Sequence, residues 1–224
     1  MIDKTDTPLI FNRIARRYDL LNNVLSFGRD KYWRRKFVKL IPGKKYDIVV
    51  DIATGTGDVL VELKKINAKE YYGIDPAEKM LEIARRKFPE AHYITATAEK
   101  IPFADDFCEL VTIAFGIRNF NEPDKALGEI YRILKPGGIL SIMEFNFPKN
   151  RLFSVPYTFY FNHIMTFIGR QISGDKTAYS YLNNSVKDFN KNYNIKQKIQ
   201  NTGFNIINQK SLSLGILEVF VVQK

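Results

Sequence analysis

The 224-residue sequence predicts an α/β fold: a mostly parallel seven-stranded sheet, helices on both faces, and a last strand that runs antiparallel. Three observations carry this. From Tyr46 onward, short runs rich in β-branched residues alternate with segments of helical apolar spacing, the pattern of βαβ units. The first run ends in VVDIATGTGD, residues 49–58, a strand that passes through a tight turn into a helix. The last two runs are separated only by residues 211–215, a link short enough for a hairpin.

Taken in order, residues 8–40 read as two helices broken near Ser26-Phe27-Gly28. Strands follow at 47–52, 71–75, 92–95, 109–115 and 139–145, and two more at 204–209 and 216–222. Between them, residues 77–88 place Met80, Leu81 and Ala84 on one helix face. Residues 123–134 do the same with Leu127, Ile130, Tyr131 and Leu134, opening on a proline and followed by Pro136-Gly137-Gly138. More than fifty residues separate the fifth and sixth strands, beyond a minimal crossover, and extra material there covers a ligand site. The expectation is one domain over 1–224: N-terminal helices at 1–45, a ligand-binding core at 46–146, a helical cap at 147–202 and C-terminal strands at 203–224.

Composition narrows the class. With 45% hydrophobic residues the chain can build a substantial core, and a single cysteine excludes a disulfide framework. The opening MIDKTDTPLIF lacks the basic-then-apolar order of a secretory signal, which predicts a cytoplasmic protein. Residues 152–169 carry no Asp, Glu, Lys or Arg, but Pro156, Asn162 and His163 interrupt them, and no run of about 18 apolar residues reads as a membrane span. Net charge is +10, in short clusters such as Arg34-Arg35-Lys36 and Arg85-Arg86-Lys87. That suits either a generally solvated surface or contact with a polyanion. Two separated histidines and one cysteine supply no metal-ligand set.

The glycine turn itself selects a ligand. A dinucleotide site needs G-x-G-x-x-G, but after Gly55 and Gly57 the third position is Leu60. Asp51 and Asp58 flank the turn and would repel a diphosphate, and no Gly-Lys-Ser/Thr follows for a P-loop. A nucleoside without phosphates that carries positive groups fits, and S-adenosylmethionine is such a ligand. Gly55, Thr56, Gly57 and Asp51 are the candidate residues at its methionine end. Asp75, about 20 residues beyond the turn, is placed to take the ribose hydroxyls, or to cap the helix after Pro76, or both. Thr97 and Ala98 at the third strand end are placed to meet the adenine edge.

VVDIATGTGD, GIDPAEKML, AEKIPF and ILKPGG resemble the class I S-adenosylmethionine-dependent methyltransferases, whose core is Rossmann-like. YDLLNNVLSFGRDKYWRR, FGIRNF and DKTAYSYLNNSVKDF narrow the resemblance to the quinone-biosynthesis C-methyltransferases, over nearly the whole chain. The sequence departs from the pattern at Thr97, often Asp or Asn, at Ala114, sometimes serine and here able to offer only backbone, and at Cys108-Glu109, where an aspartate is usual.

The resemblance implies methyl transfer from sulfonium to a ring carbon of a polyprenyl hydroquinol, the demethylmenaquinol step and the benzoquinol step of ubiquinone synthesis being both open. Much of such catalysis is alignment. The ring carbon also needs a neighbouring phenolate, and a free phenol has a pKa near ~10. Arg118 in Phe115-Gly116-Ile117-Arg118-Asn119 is placed to hold that oxygen electrostatically, with Asn119 orienting it, unless Arg118 is spent on a carboxylate of the cap. The proton acceptor is open: His163 lies in the uncharged stretch with Tyr179 and Tyr181 beyond it, although a lone histidine among apolar residues is usually packing. Tyr18 is expected either to close over the sulfonium or to pack in the core. Trp33 is expected to anchor the N-terminal helices to the sheet, and Cys108 to pack.

Residues 152–169 then read either as a buried helix or as a greasy channel for a prenyl tail opening toward the bilayer, with the basic surface favouring anionic lipid. An exposed apolar face is equally open to homodimerisation. The rival enzyme class, an RNA or DNA methyltransferase, lacks Asn/Asp-Pro-Pro-Tyr after the fourth strand and has no aromatic-and-basic module, so no nucleic-acid partner is expected. A non-catalytic cofactor-binding subunit is the third class.

Overall fold

The computed structural model describes residues 6–148, 150–160, 164–165 and 176–224. Helices α1 (Thr7–Leu25) and α2 (Arg29–Leu40) precede a sheet of β1 (Ile48–Ile52), β2 (Glu70–Ile74), β3 (His92–Ile94), β4 (Cys108–Ala114), β5 (Leu134–Phe145), β6 (Asn205–Leu212) and β7 (Leu217–Gln223). Helices α3 (Asp58–Leu63), α4 (Glu78–Lys87) and α5 (Pro123–Ile133) are the crossovers. The segment between β5 and β6 contains α6 (Arg151–Phe159), α7 (Lys176–Asn192) and α8 (Ile195–Asn201). The strand order is β3-β2-β1-β4-β5-β7-β6, with β7 antiparallel to both neighbours. Chain direction across the sheet reverses between β1 and β4, so the crevice for a ligand opens at the C-terminal ends of those two strands.

Both sheet faces are buried, as near-continuous apolar strands require. On one face Val50, Ile52, Val111 and Ile142 pack against Leu127 and Ile130 of α5. On the other, Val49, Leu110, Met143 and Val219 pack against Trp33 and Phe37 of α2 and Leu60 of α3. A third apolar cluster lies above the crevice, joining Ile10, Ile14, Leu21 and Leu25 of α1 to Met80 of α4 and Tyr181 and Val186 of α7.

The break expected near Ser26-Phe27-Gly28 is there: Phe27 and Gly28 both take left-handed backbone, and Ser26 and Asp30 exchange hydrogen bonds across it. One boundary differs. The sequence predicts a helix to Leu134 and a strand only from Ile139, with Pro136-Gly137-Gly138 between them, yet β5 already starts at Leu134. Leu134 pairs with Cys108 and Ile139 with Leu110, so five steps on β5 oppose two on β4. The proline and glycines bulge out of the ladder there, Gly137 at φ 75°, without ending the strand.

Candidate cofactor and substrate site

β1 ends in the turn that the sequence singles out. Ala53 and Gly55 take positive φ of 54° and 55°, and Gly57 one of 79°. A Cβ on Gly57 would stand 2.9 Å from the Ala84 Cβ of α4, so glycine is needed for both its dihedral and its space. Where a third glycine would let helix and strand approach closely, Leu60 is fully buried instead. The space comes from the neighbouring strand: a Cβ on Gly73 of β2 would meet Leu60 Cδ1 at 2.9 Å.

The Gly55 N–H donates to Asp75 Oδ2 at 2.9 Å, and the Ala77 N–H to Asp75 Oδ1 at 2.8 Å. Asp75 thus ties the turn to β2 and closes an Asx turn ahead of α4, whose N-cap residue is Ala77 and not Asp75, and each oxygen keeps a lone pair for a further donor. Burial pushes its carboxyl up to about 6, against the pull of those two amides. Asp51 lies one layer back, buried under the turn, where it accepts from Thr112 Oγ1 at 2.5 Å, and burial raises it to about 7.

Two adjoining cavities open at this edge. The smaller, of about 90 Å³, has Asp75, Thr97, Ala98 and Asn119 in its wall. The larger, of about 390 Å³, is walled by Thr56, Phe115, Arg118 and Phe145 and roofed by Tyr157, Tyr160 and Tyr181. Tyr18, Gly55 and Ala114 face both. Of the predicted cofactor residues, Asp51 and Gly57 therefore line neither cavity. They support the turn from behind, because the strand's alternation turns Asp51 toward Thr112 and the left-handed turn presses Gly57 onto α4. His163 and the Tyr179 side chain lie outside the described residues.

Arg118 sits in a single 3₁₀ turn after β4 and is 3% exposed. Its Nη1 donates to the Phe115 carbonyl at 2.5 Å and to Glu144 Oε1 at 2.6 Å, and the guanidinium lies over the Phe145 ring. The carboxylate it meets belongs to β5, not to the cap. Among the described residues Arg118 Nε and Glu144 Oε2 have no hydrogen-bond partner. Asn119 Oδ1 accepts from Tyr181 Oη at 3.2 Å. Trp33 anchors α2 as expected, its Nε1 donating to Ser213 at 2.7 Å and its ring meeting Phe115 and Phe145. Cys108 is buried, its thiol pushed up to about 12 by burial.

Behind the methionine side of the turn lies a charge network that sequence reading misses. Asp58 binds Arg34 at 2.9 Å and Lys87 at 2.5 Å; Lys87 reaches Asp19 at 2.6 Å; and Thr56 Oγ1 donates to Asp19 at 2.6 Å. With Asp30 on Arg34, three carboxylates meet two cations. Asp58 is thus not a bare charge, yet the cluster stays net negative and suits a cationic ligand end. Glu144, Asp19 and Lys87 are distant in sequence from the turn, and only the acidic residue inside the otherwise apolar SIMEF of β5 hints at a role. No group of three or more potential metal ligands occurs among the described residues.

The model of the ubiE/COQ5 methyltransferase family matches residues 2–224. A demethylmenaquinone methyltransferase of Thermus thermophilus is 42% identical over 217 residues, covering 95% of this chain and 98% of that protein. A ubiquinone/menaquinone biosynthesis C-methyltransferase UbiE of Geotalea daltonii is 40% identical over 223 residues, covering 96% and 94%. Among solved structures, a SAM-dependent methyltransferase of Thermotoga maritima, a possible histamine N-methyltransferase, has a TM-score of 0.65 at 21% identity, covering 96% of this chain and 98% of that one. That likeness speaks for the fold alone.

Proposed function

From its membership of the ubiE/COQ5 methyltransferase family, to which the chain belongs, we propose that it moves a methyl group from S-adenosylmethionine to a ring carbon of a polyprenyl hydroquinol at the crevice between β1 and β4. The observation that carries the assignment of the site is Arg118: a guanidinium in the wall of the larger cavity, fixed from behind by Phe115 and Glu144.

The residues present fit the cofactor. Asp75 offers two anchored oxygens to a ribose diol, the slot beside Thr97 and Ala98 suits a flat base, and the net-negative cluster behind Thr56 suits a ligand end bearing ammonium and sulfonium. S-adenosylmethionine supplies the electrophilic methyl group. Tyr18, facing both cavities, covers the junction between cofactor and substrate. The Arg118 guanidinium, in the wall of the larger cavity, favours the phenolate form of the quinol oxygen beside the reacting carbon, which makes that carbon electron-rich. Glu144 keeps the guanidinium in place and prevents its withdrawal. The aromatic roof excludes water and grips the ring. The protein is cytoplasmic in this reading and meets the bilayer peripherally; no described helix is long and apolar enough to cross a membrane.

The test is methyl transfer from radiolabelled S-adenosylmethionine to chemically reduced demethylmenaquinone and to the matching benzoquinol, with the oxidised forms and bulk RNA as controls. Label confined to reduced quinol is expected, and which ring takes it names the substrate. Unlabelled quinols alongside retained cofactor binding would remove the substrate assignment.

A further inference from the structure

Helix α1 has two apolar faces. The inner one, Ile10, Ile14, Leu21 and Leu25, is buried. The outer one holds Leu9, Leu20 and Val24, which are 59%, 56% and 36% exposed, interleaved at helical spacing with Arg13 and Arg16. A helix that merely covers a core needs one apolar stripe. The outer row runs on to Phe27, 76% exposed although its φ of 52° is disfavoured for a bulky side chain. Phe27 stands at the mouth of the larger cavity with its ring 5.4 Å from that of Tyr160, whose hydroxyl donates to the Leu25 carbonyl at 2.7 Å. Tyr160 thereby pins the end of α6 beside the end of α1, and Leu152 and Val155, one turn apart on α6, are 74% and 60% exposed.

Charge indicates what covers this face. Residues 7–40 hold nine Lys or Arg and two acidic residues, Asp19 and Asp30. Both aspartates turn inward, Asp19 onto Thr56 and Lys87 and Asp30 onto Arg34. Among the described residues of α1 itself, the outer face thus presents leucine and arginine, with both aspartates of this span engaged inward. A second copy docked symmetrically would set arginine row against arginine row. An anionic lipid surface accepts both components, apolar side chains below the headgroups and guanidinium groups among them.

We propose that the outer face of α1, with Phe27 and the start of α6, is a docking surface for an anionic phospholipid bilayer that places the mouth of the larger cavity against the membrane. The surface stands on exposure and charge; its purpose, admitting a lipid-tailed quinol, rests on the function proposed above.

The test uses the full chain and vesicles of phosphatidylcholine with and without phosphatidylglycerol. Binding is expected to be about tenfold stronger with phosphatidylglycerol at low salt and to decline as salt rises. Leu20→Ser/Leu152→Ser should lower it about tenfold and Arg16→Gln several-fold, both retaining turnover of a short-tailed quinol in solution. Tryptophan introduced by Leu152→Trp should be quenched by brominated lipid. Equal binding to both vesicles, or no effect of Leu20→Ser/Leu152→Ser, would overturn the proposal. So would concentration-dependent dimerisation that the double substitution abolishes, since the face would then belong to a second copy. Vesicle binding that responds as expected in a protein without quinol turnover would support the surface and remove the substrate instead.

Discussion

At the scale of single side chains the proposed chemistry turns on Arg118 and Asp75. Arg118 spends Nη1 on the scaffold while its guanidinium still lines the larger cavity, an arrangement a lysine cannot reproduce with its one nitrogen. Arg118→Lys should lower kcat by about 100- to 1000-fold, the effect of losing a fixed donor at a developing oxyanion, with cofactor affinity within a few-fold of the parent. Single-turnover methyl transfer and calorimetry separate the two. For Asp75 the prediction is one of pH. A carboxyl raised to about 6 in the folded protein binds its proton more tightly folded than unfolded. Its stabilising contribution is therefore complete below the unfolded pKa near ~3.9 and is lost as pH rises through about 6. Asp51 acts in the same direction up to about 7. Two ribose hydroxyls, in contrast, need the ionised carboxylate. Cofactor affinity should then fall by roughly tenfold per unit below pH 6, and Asp75→Asn should bind more weakly and lose this slope. The thermal shift given by S-adenosylmethionine, measured from about pH 5 to about pH 8, should grow with pH in the parent and stay flat in the variant.

The strand–turn–helix unit β1–α3 is where sequence and structure correspond most closely. Its Gly57 needs a positive φ and lies where any Cβ would overlap Ala84. Gly57→Ala should cost about 2–4 kcal/mol, from strain plus overpacking, and should lower the melting temperature and cofactor affinity together. Gly43→Ala, where nothing stands within 4 Å of the new methyl, is the control and should be near neutral. Turn, strand alternation and helix faces are legible in the chain because each rests on local spacing. So is the place of Asp75 beside the turn, because a parallel neighbour strand must end beside the first. What was not legible depends on partners far apart in sequence. Glu144 meets Arg118 across 26 residues, and Lys87 meets Asp58 across 29. The contact of Asp51 with Thr112 is likewise set by the pairing of β1 with β4, 61 residues away, and not by its place beside the turn. The bulge at Gly137 is hidden for the same reason: Pro-Gly-Gly specifies a departure from regular strand, and only the pairing with β4 places Leu134 before it in the same strand.

Across the whole molecule, the crevice is closed by elements from opposite ends of the chain. Thr7 Oγ1 at the start of α1 lies 3.0 Å from the Tyr181 hydroxyl of α7, which in turn donates to Asn119 beside Arg118. At the other end of α1, Asp19 is held by Thr56 of the turn and Lys87 of α4. The roof is thus fastened to the edge that carries Asn119 and Arg118 at one end and to the β1 turn at the other, by a helix secured at both. Tyr181→Phe removes the first fastening while keeping the ring that lines the cavity. Two neutral hydrogen bonds contribute about 1 kcal/mol each, so the variant should fold with a modest loss of stability. Its larger effect should be local: α1 amides should exchange about tenfold faster in the free protein, as expected for an opening made easier by about 1.4 kcal/mol. Bound S-adenosylmethionine should restore much of that protection, because Tyr18 and the Asp19–Thr56 contact remain. KM for the quinol should rise several-fold with kcat changed less, since the reacting groups stay on β4 and β5 and only the enclosure is weakened. Faster exchange confined to α7, or an equal loss in kcat and kcat/KM, would instead make Tyr181 part of the alignment of Asn119 and separate the roof from the edge it closes.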